Sequence, residues 1–129
     1  MAHATVEWTA NLEGDADIHG LLALIAAAMR ESGIFPWGGI RVRAIKLDDY
    51  FIADGKEDDA FINITVTMGA GRSAEIKREF FGALFEKIKM HFAELYRHRY
   101  LAISMYVEEA DENASFKHNN LHQRFKKDR

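Results

Sequence analysis

The sequence predicts an α+β fold in which two tandem β-α-β units form a four-stranded sheet with two helices on one face. Two observations predict it. Alternation of apolar and polar residues, which is typical of strands, occurs in four separate segments. An apolar stripe at helical spacing lies between the first two of these segments and again between the last two. No linker or low-complexity segment interrupts the chain, so we expect a single domain over residues 1–129.

The first unit begins with a strand at residues 3–8, where apolar and polar residues alternate. Residues 14–17 supply acidic capping residues ahead of a helix whose apolar stripe runs to Met29, and Gly33 supplies a stop signal. A turn containing proline and glycine follows. Alternation returns at residues 40–45, which predicts the second strand.

The second unit repeats this order after a connection at residues 47–59 that holds a small apolar patch. Alternation at residues 61–68 predicts the third strand, and a glycine-rich turn leads to Ser73 as the N-cap of a second helix. The stripe predicts that this helix continues to about His98. Alternation at residues 100–107 then predicts the fourth strand.

The segment after the fourth strand is polar and without a clear period. Its last residues, 124–129, form a basic stretch that we expect to be a frayed end.

The face of the sheet turned away from the helices is predicted to carry mostly small, neutral residues. A solvated antiparallel face normally carries many lysines and glutamates. We therefore expect another subunit to cover this face and to leave its two arginines facing a pocket; a threonine-rich face in water is the alternative. The residues with this orientation are Thr5, Glu7, Arg41, Arg43, Asn63, Thr65, Thr67, Ala102, Ser104 and Tyr106.

The composition excludes several classes of protein. Without cysteine there is neither a disulfide framework nor a thiolate nucleophile or zinc–thiolate site. No stretch approaches the roughly 20 apolar residues of a membrane span, and the N-terminus lacks the features of a signal peptide, so we expect a cytoplasmic protein. The net charge of −3 argues against nucleic-acid binding. Small molecules or proteins remain as partners.

Three groups of residues are candidates for chemistry. His118 and His122 have a helical spacing that suits a metal pair, but no third ligand accompanies them, so we expect no metal. The turn at residues 69–73 precedes a helix, and Arg72 adds a bidentate fork to its N–H groups; glycines required only for a tight turn are the alternative. Arg41 is either a salt-bridge partner or, with Arg72, part of a site for a dicarboxylic acid.

Two folds fit the element order. One is the ferredoxin-like sandwich, which includes RNA-recognition modules, and the other is the tautomerase arrangement, in which tandem β-α-β units form a trimer. An RNA-binding sheet requires exposed aromatic and basic residues on its central strands. The strand at residues 61–67 contains no basic residue, which disfavours RNA recognition.

Short motifs in order along nearly the whole chain carry a resemblance to a known family. The motifs are Gly33-Ile34-Phe35-Pro36, Gly39-Ile40-Arg41, Ala53-Asp54-Gly55, Ala60-Phe61, Gly69-Ala70-Gly71-Arg72-Ser73, Leu84-Phe85-Glu86, Ile88-Lys89, His91-Phe92-Ala93, Phe116-Lys117, Asn119-Asn120 and His122. They resemble the 5-carboxymethyl-2-hydroxymuconate isomerases of the tautomerase superfamily. The resemblance implies a homotrimeric, cofactor-free isomerase of aromatic-acid catabolism. Such an enzyme moves a proton on a conjugated 2-hydroxy-dienoate dicarboxylate to give the 2-oxo-enoate isomer.

The resemblance also implies the residues of the site. The family's base is the amine of an N-terminal proline exposed by loss of the initiator methionine, and its carboxylate-binding arginines map to Arg41 and Arg72. This sequence has Ala2 in place of the proline. We expect the Ala2 amine to act as the base, because an apolar pocket and two arginines lower the pKa of an α-amine from about 7.7–8.0 toward neutrality.

The change of residue leaves other functions open. If Met1 is retained, the amine moves by about 3.8 Å, and a misplacement of that size costs on the order of a hundredfold in rate. A catalytically weak or inactive trimer that binds a small carboxylic acid is therefore the alternative function. Tautomerisation of another 2-oxo acid by the same residues is a further one.

Overall fold

The computed structural model describes residues 1–126 and forms one mixed sheet covered by helices on one side. The first and third strands each extend one residue further at both ends than predicted, and the second ends two residues later. The fourth begins one residue later and ends three residues later than predicted. The elements are β1 (Ala2–Thr9), α1 (Ile18–Glu31), β2 (Ile40–Leu47), β3 (Ala60–Gly69), α2 (Ala74–His91), α3 (Ala93–His98) and β4 (Leu101–Ala110).

The strand order is β2-β1-β3-β4, and it confirms the predicted tandem β-α-β units. The strands within each unit are parallel, β1 with β2 and β3 with β4, whereas β1 and β3 join the two units as an antiparallel pair. In this register Ala2 lies opposite Ile40 on one side and Met68 on the other. The beginnings of β1 and β2 and the end of β3 therefore meet at one edge of the sheet, beside Arg41 and Gly69.

The core lies between the sheet and the helices, as the alternation predicted. Alternate residues are buried along the full length of β3 and from Ala2 to Val6 of β1. Burying each aliphatic side chain of this size stabilises the fold by about 1.5–3 kcal/mol. The largest fully buried side chains are Leu12, Leu21, Ile25, Met29, Ile62, Ile64, Met68, Leu84 and Ile88.

The helix starts are capped by side chains close to where the sequence placed them. The Ile76 N–H donates to the Ser73 hydroxyl at 3.1 Å, which confirms the predicted N-cap of α2. The Gly20 N–H donates to the Asp17 carboxylate at 2.9 Å at the start of α1. Each cap satisfies one backbone donor that lacks a partner within the helix. The cap of α2 fixes the chain directly after Arg72.

The second helix is shorter than predicted. Phe92 has φ −106° and ψ 15°, which ends α2, and α3 begins at the next residue. The single helix predicted to reach His98 is therefore wrong. The apolar stripe continues through Phe92, which is buried, so periodicity alone does not detect one non-helical residue within it.

The segment after β4 folds back on the body of the protein. Residues Leu121–Phe125 form a short 3₁₀ helix, and the Phe125 ring lies edge-on to Trp37 with centroids 5.8 Å apart. The predicted frayed end is wrong for residues 124–125, because a tertiary contact that has no sequence period holds them. The rest of that prediction, beyond residue 126, lies outside the described residues. Over residues 1–126, no helix is long and apolar enough to cross a membrane.

Candidate active site at the beginning of the first strand

A cavity of about 350 Å³ lies at the sheet edge where β1 begins and β3 ends. Backbone topology explains its position, since two strand starts, one strand end and the returning C-terminal segment converge there. Its lining includes Met1 and His3 from the first strand, Thr67 and Gly69 from the third, and Phe116 and Lys117 from the C-terminal segment.

One larger cavity, of about 500 Å³, is lined mainly by apolar residues of α1 and β2. Two others, of about 810 and 900 Å³, lie near α3 and β4. Their charged groups are engaged with one another or with carboxylates nearby. Arg97 and His98 both contact the Glu94 carboxylate, and Arg99 donates to Asp58 at 2.9 Å. The smaller cavity is the better candidate for an anionic substrate because its cations are not neutralised in this way.

Met1, which carries the chain's amine, borders the smaller cavity. Burial and the charges of Lys117, Arg72 and Arg41, in that order, lower the pKa of the Met1 amine from its ordinary value of 8.0. Burial disfavours the charged ammonium, and each neighbouring cation disfavours it further. The structure thus brings the N-terminal amine and both predicted arginines into one electrostatic environment. The amine present belongs to Met1, while Ala2 is buried as the first residue of β1.

Arg72 binds two backbone carbonyls next to this amine. Its Nε and Nη2 donate to the Ile34 carbonyl at 3.1 and 2.6 Å, and its Nη1 donates to the Gly69 carbonyl at 3.0 Å. The guanidinium also lies 5.0 Å from the centre of the Phe35 ring. Because guanidinium has five N–H donors and three are used, two remain for a ligand. The Arg72 guanidinium therefore holds the segment at Ile34 and the end of β3 at Gly69 together, and it also supplies a positive charge.

Arg41 is held by the turn before β2. Its Nη1 donates to the Gly38 carbonyl at 2.9 Å and, at 3.4 Å, to that of Ile40. The Gly38 carbonyl also accepts from the Asn119 amide at 2.8 Å. One carbonyl therefore joins the strand arginine to the C-terminal segment. No salt bridge to Arg41 occurs within residues 1–126, so the salt-bridge alternative is not what the structure shows.

His3 was not singled out from the sequence, yet it borders the cavity. Arg43 Nη1 lies 3.0 Å from His3 Nδ1, and because arginine has no acceptor, His3 Nδ1 must accept this hydrogen bond. Burial and the charges of Arg43, Arg41 and the amine lower the pKa of His3. His3 is therefore neutral at neutral pH and keeps its remaining proton on Nε2. Side chains alternate along β1, so His3 points to the face opposite Ala2, which is the face that carries the arginines. This alternation could have identified His3 from the sequence.

Lys117 was also missed as a site residue. In the sequence Lys117 stands out only within the Phe116-Lys117 motif, because it falls in a polar segment without a period. It borders the cavity, and its charge acts on the amine more strongly than either arginine does. Contacts of the C-terminal segment with the turn at residues 37–39 bring it there, and those contacts leave no local pattern.

The two histidines considered as a metal pair lie in different surroundings. His118 is exposed, while His122 packs against the turn before β2. A Cβ added at Gly38 would lie 2.7 Å from the His122 backbone nitrogen, and one at Gly39 would lie 3.2 Å from the Met1 Cα. Within the described part of the chain, no three His, Cys, Asp or Glu side chains are grouped to hold a metal. His122 therefore has a packing role.

Replacing Gly38 with alanine is expected to lower the free energy of unfolding by about 1–3 kcal/mol, because the new Cβ would overlap backbone rather than a movable side chain. Urea denaturation measures the change, and limited proteolysis near residues 115–126 reports release of the segment. Gly82→Ala on α2 is the control: nothing lies within 4 Å of its Cβ, so added helix propensity should stabilise the protein. Equal stability of the Gly38 variant and the parent would show that the segment does not dock as described.

Comparison with known proteins decides the family. The sequence profile of the 5-carboxymethyl-2-hydroxymuconate isomerases matches residues 2–125. A curated 5-carboxymethyl-2-hydroxymuconate Delta-isomerase from Escherichia coli is 42% identical over 126 residues, which cover 98% of this chain and 100% of that protein. The chain belongs to the 5-carboxymethyl-2-hydroxymuconate isomerase family. The predicted family and the predicted isomerase class are thereby confirmed.

Solved structures agree with this assignment. A crystal structure of a 5-carboxymethyl-2-hydroxymuconate isomerase from Deinococcus radiodurans R1 is 40% identical, with a TM-score of 0.89 over 97% of this chain and 94% of that one. A fused 4-OT protein, described as a symmetric trimer, is 20% identical with a TM-score of 0.58 over 89% of this chain and 93% of that one. The second likeness concerns the fold alone, and it confirms the tautomerase-like architecture predicted from the resemblance.

Proposed function

We propose that the protein is a 5-carboxymethyl-2-hydroxymuconate Δ-isomerase that uses its N-terminal amine as general base and no cofactor. The observation that carries the proposal is an amine of lowered pKa at a cavity, within the field of Arg41, Arg72 and Lys117. A base works best when its pKa lies near the operating pH. Membership of the family indicates the reaction class. The positive charges of the two arginines and the lysine favour binding of an anionic substrate.

The chemistry of this substrate fits the charges at the site. A muconate carries two carboxylates, and the carboxymethyl group adds a third, so the compound is a trianion at neutral pH. The dicarboxylate expected from the sequence is one carboxylate short. Arg41 and Arg72 each retain N–H donors after binding the protein's own carbonyls. Both are therefore proposed as substrate-binding and catalytic residues at the carboxylate and enol oxygen next to the amine.

The proposed reaction transfers one proton from oxygen to carbon. The neutral amine accepts the proton of the 2-hydroxyl group, and the resulting dienolate bears negative charge that the arginine donors stabilise. The ammonium then delivers a proton to carbon 5. The O–H bond breaks, a C–H bond forms, and the two C=C bonds become one C=O and one C=C bond, so the product is the 2-oxo-3-enoate. The amine returns to its neutral form.

We further propose Ala2, after removal of Met1, as the residue that supplies the amine. Ala2 lies between Ile40 and Met68 in the sheet register. The next residue after Ile40 is Arg41, and the next after Met68 is Gly69, whose carbonyl holds Arg72. An amine at Ala2 therefore lies between the strand positions that hold the two arginines. The small side chain of Ala2 also favours removal of the methionine.

A cytoplasmic homotrimer is part of the same proposal. The sheet face away from the helices carries the small neutral residues expected of a covered surface. On it, the Ser104 hydroxyl donates to the Asn63 side chain at 2.7 Å. Tyr106 on the same face is largely exposed in the single chain, as expected of a residue that another subunit would cover. The symmetric trimer named for the 4-OT relative supports three copies rather than two.

Incubation of the purified protein with 5-carboxymethyl-2-hydroxymuconate, followed by its ultraviolet band, is the direct test. Mass spectrometry of the same sample identifies residue one of the mature chain. Loss of the dienol band well above the buffer rate supports the proposal. No change above that rate at micromolar enzyme contradicts it and favours an idle carboxylate-binding trimer, which the replacement of proline by Ala2 already motivates.

The pH dependence of kcat/KM is expected to follow the amine. Only the neutral amine accepts a proton, so the rate should rise with pH and level off above the pKa of the amine. Burial and the charges of Lys117, Arg72 and Arg41 lower the pKa of the Met1 amine from 8.0. The proposed Ala2 amine lies beside the same cations, so we expect the midpoint below 8.0 for it as well. Protein whose α-amine has been acetylated is the control and should lack the rise. A midpoint above 8.0, or a flat profile, would contradict the amine's role.

A further inference from the structure

Lys117 is the cationic side chain that borders the cavity directly. Among the described residues, Lys117 and His3 line it, whereas Arg41 and Arg72 do not and instead bind the Gly38 and Gly69 carbonyls. His3 is neutral because Arg43 donates to it. A ligand carboxylate entering the cavity therefore meets Lys117 as a full positive charge at its surface.

The backbone on both sides of Lys117 is anchored. On one side, the Ser115 hydroxyl donates to the Asp111 carbonyl at 2.6 Å. On the other, the Asn119 amide donates to the Gly38 carbonyl at 2.8 Å, and its oxygen accepts from the Leu121 N–H at 2.8 Å. The lysine thus extends from a fixed point rather than from a loose tail, which reduces the entropy lost when it binds a ligand.

Within the described residues, no carboxylate neutralises the ammonium of Lys117. Glu112 borders the same cavity, yet no carboxylate within residues 1–126 comes within 4 Å of the Lys117 ammonium. Lysine binds carboxylates as a point charge with three donors and tolerates varied approach directions. An exposed, unpaired lysine at the cavity suits a flexible carboxylate branch better than it suits the planar, reacting end of the substrate.

We propose that Lys117 binds the carboxylate of the substrate's carboxymethyl branch and so makes the enzyme prefer 5-carboxymethyl-2-hydroxymuconate over unbranched 2-hydroxymuconate. The proposal rests on the proposed function and deepens it by assigning one cation to the carboxylate that distinguishes the two compounds. Arg41 and Arg72 remain with the carboxylate and enol oxygen that both compounds share. Lys117 is then a specificity residue, and it leaves the proton transfer to the amine.

Lys117→Met keeps the length of the side chain and removes its charge. Assays are run at about pH 9, above the ordinary pKa of an α-amine, so that an altered amine pKa does not distort the comparison. KM for the carboxymethyl compound should rise about five- to tenfold with little change in kcat, while KM for 2-hydroxymuconate stays the same. Lys117→Arg should preserve most of the preference. Lys87→Met, at an exposed position on α2, is the matched control and should change neither value.

A binding measurement keeps the test independent of turnover. Calorimetric titration with 2-hydroxyadipate and with its 5-carboxymethyl derivative, neither of which has a double bond to isomerise, should show tighter binding of the branched compound and loss of that difference in Lys117→Met. Equal weakening of both ligands, or an unchanged difference, would overturn the assignment. If the protein binds with this preference but never isomerises, the proposed function fails while the role of Lys117 stands.

Discussion

Replacing Arg72 with alanine is expected to reduce kcat/KM by about 10²–10³-fold, the effect of removing a donor from developing negative charge. It should also lower the free energy of unfolding by about 1–3 kcal/mol, because the Ile34 and Gly69 carbonyls lose their charged donor. The two losses have different origins. One arises from the guanidinium N–H groups left for a ligand, and the other from those that hold the loops together.

Two variants separate these roles. Arg72→Lys keeps the charge but cannot bridge both carbonyls, so it should resemble alanine in stability and retain part of the activity. Arg78→Ala, at an exposed arginine on α2, should change neither quantity. Steady-state rates are compared at a temperature where circular dichroism shows each variant to be folded. If the activity of Arg72→Ala falls only as far as its folded fraction does, Arg72 is a structural clamp and its catalytic role is wrong.

The sequence predicted the features of the fold that depend on local periodicity. Alternation located β1 to β4 because each strand buries one face, and the polar hydroxyl before Ala74 located the cap of α2. The break at Phe92 was not predictable in this way, since a buried residue satisfies the apolar stripe whether or not its backbone is helical. The strand order β2-β1-β3-β4 was not predictable in this way, because the ferredoxin-like and tautomerase arrangements both fit the same order of elements along the chain.

The candidate site was predictable only in part, because some of its groups stand out in the sequence and others depend on the folded backbone. Arg41 and Arg72 were predicted because the first is one of two arginines in an otherwise uncharged part of a strand, and the second lies at a helix start. Their carbonyl partners were not, because Ile34 and Gly38 contribute backbone atoms that carry no residue signature. Lys117 lies at the cavity because the neighbouring Asn119 side chain donates to the Gly38 carbonyl in the turn before β2. These two residues are far apart in the chain. Such contacts exist only once the sheet has formed.

Ala2→Pro is expected to raise kcat/KM about ten- to a hundredfold in protein that has lost Met1. The pyrrolidine ring holds its nitrogen more rigidly than the free amine of alanine, and a better-fixed base loses less rate to misplacement. The fold should accept the change, because proline is tolerated at the first residue of a strand and Ala2 begins β1. Steady-state assays together with mass spectrometry of the N-terminus measure the effect.

Ala2→Gly provides the opposite control, because it keeps a primary amine and loosens the backbone, so its rate should fall. A rise with proline and a fall with glycine would mean that the cavity and its cations are intact and that the base alone limits this family member. If mature Ala2→Pro protein, confirmed to begin with proline, isomerises no faster than the parent, the limitation lies elsewhere. If neither protein isomerises the substrate above the buffer rate, the trimer that merely binds a carboxylic acid is the better account, because even a proline amine beside Arg41 and Arg72 then fails to remove the hydroxyl proton.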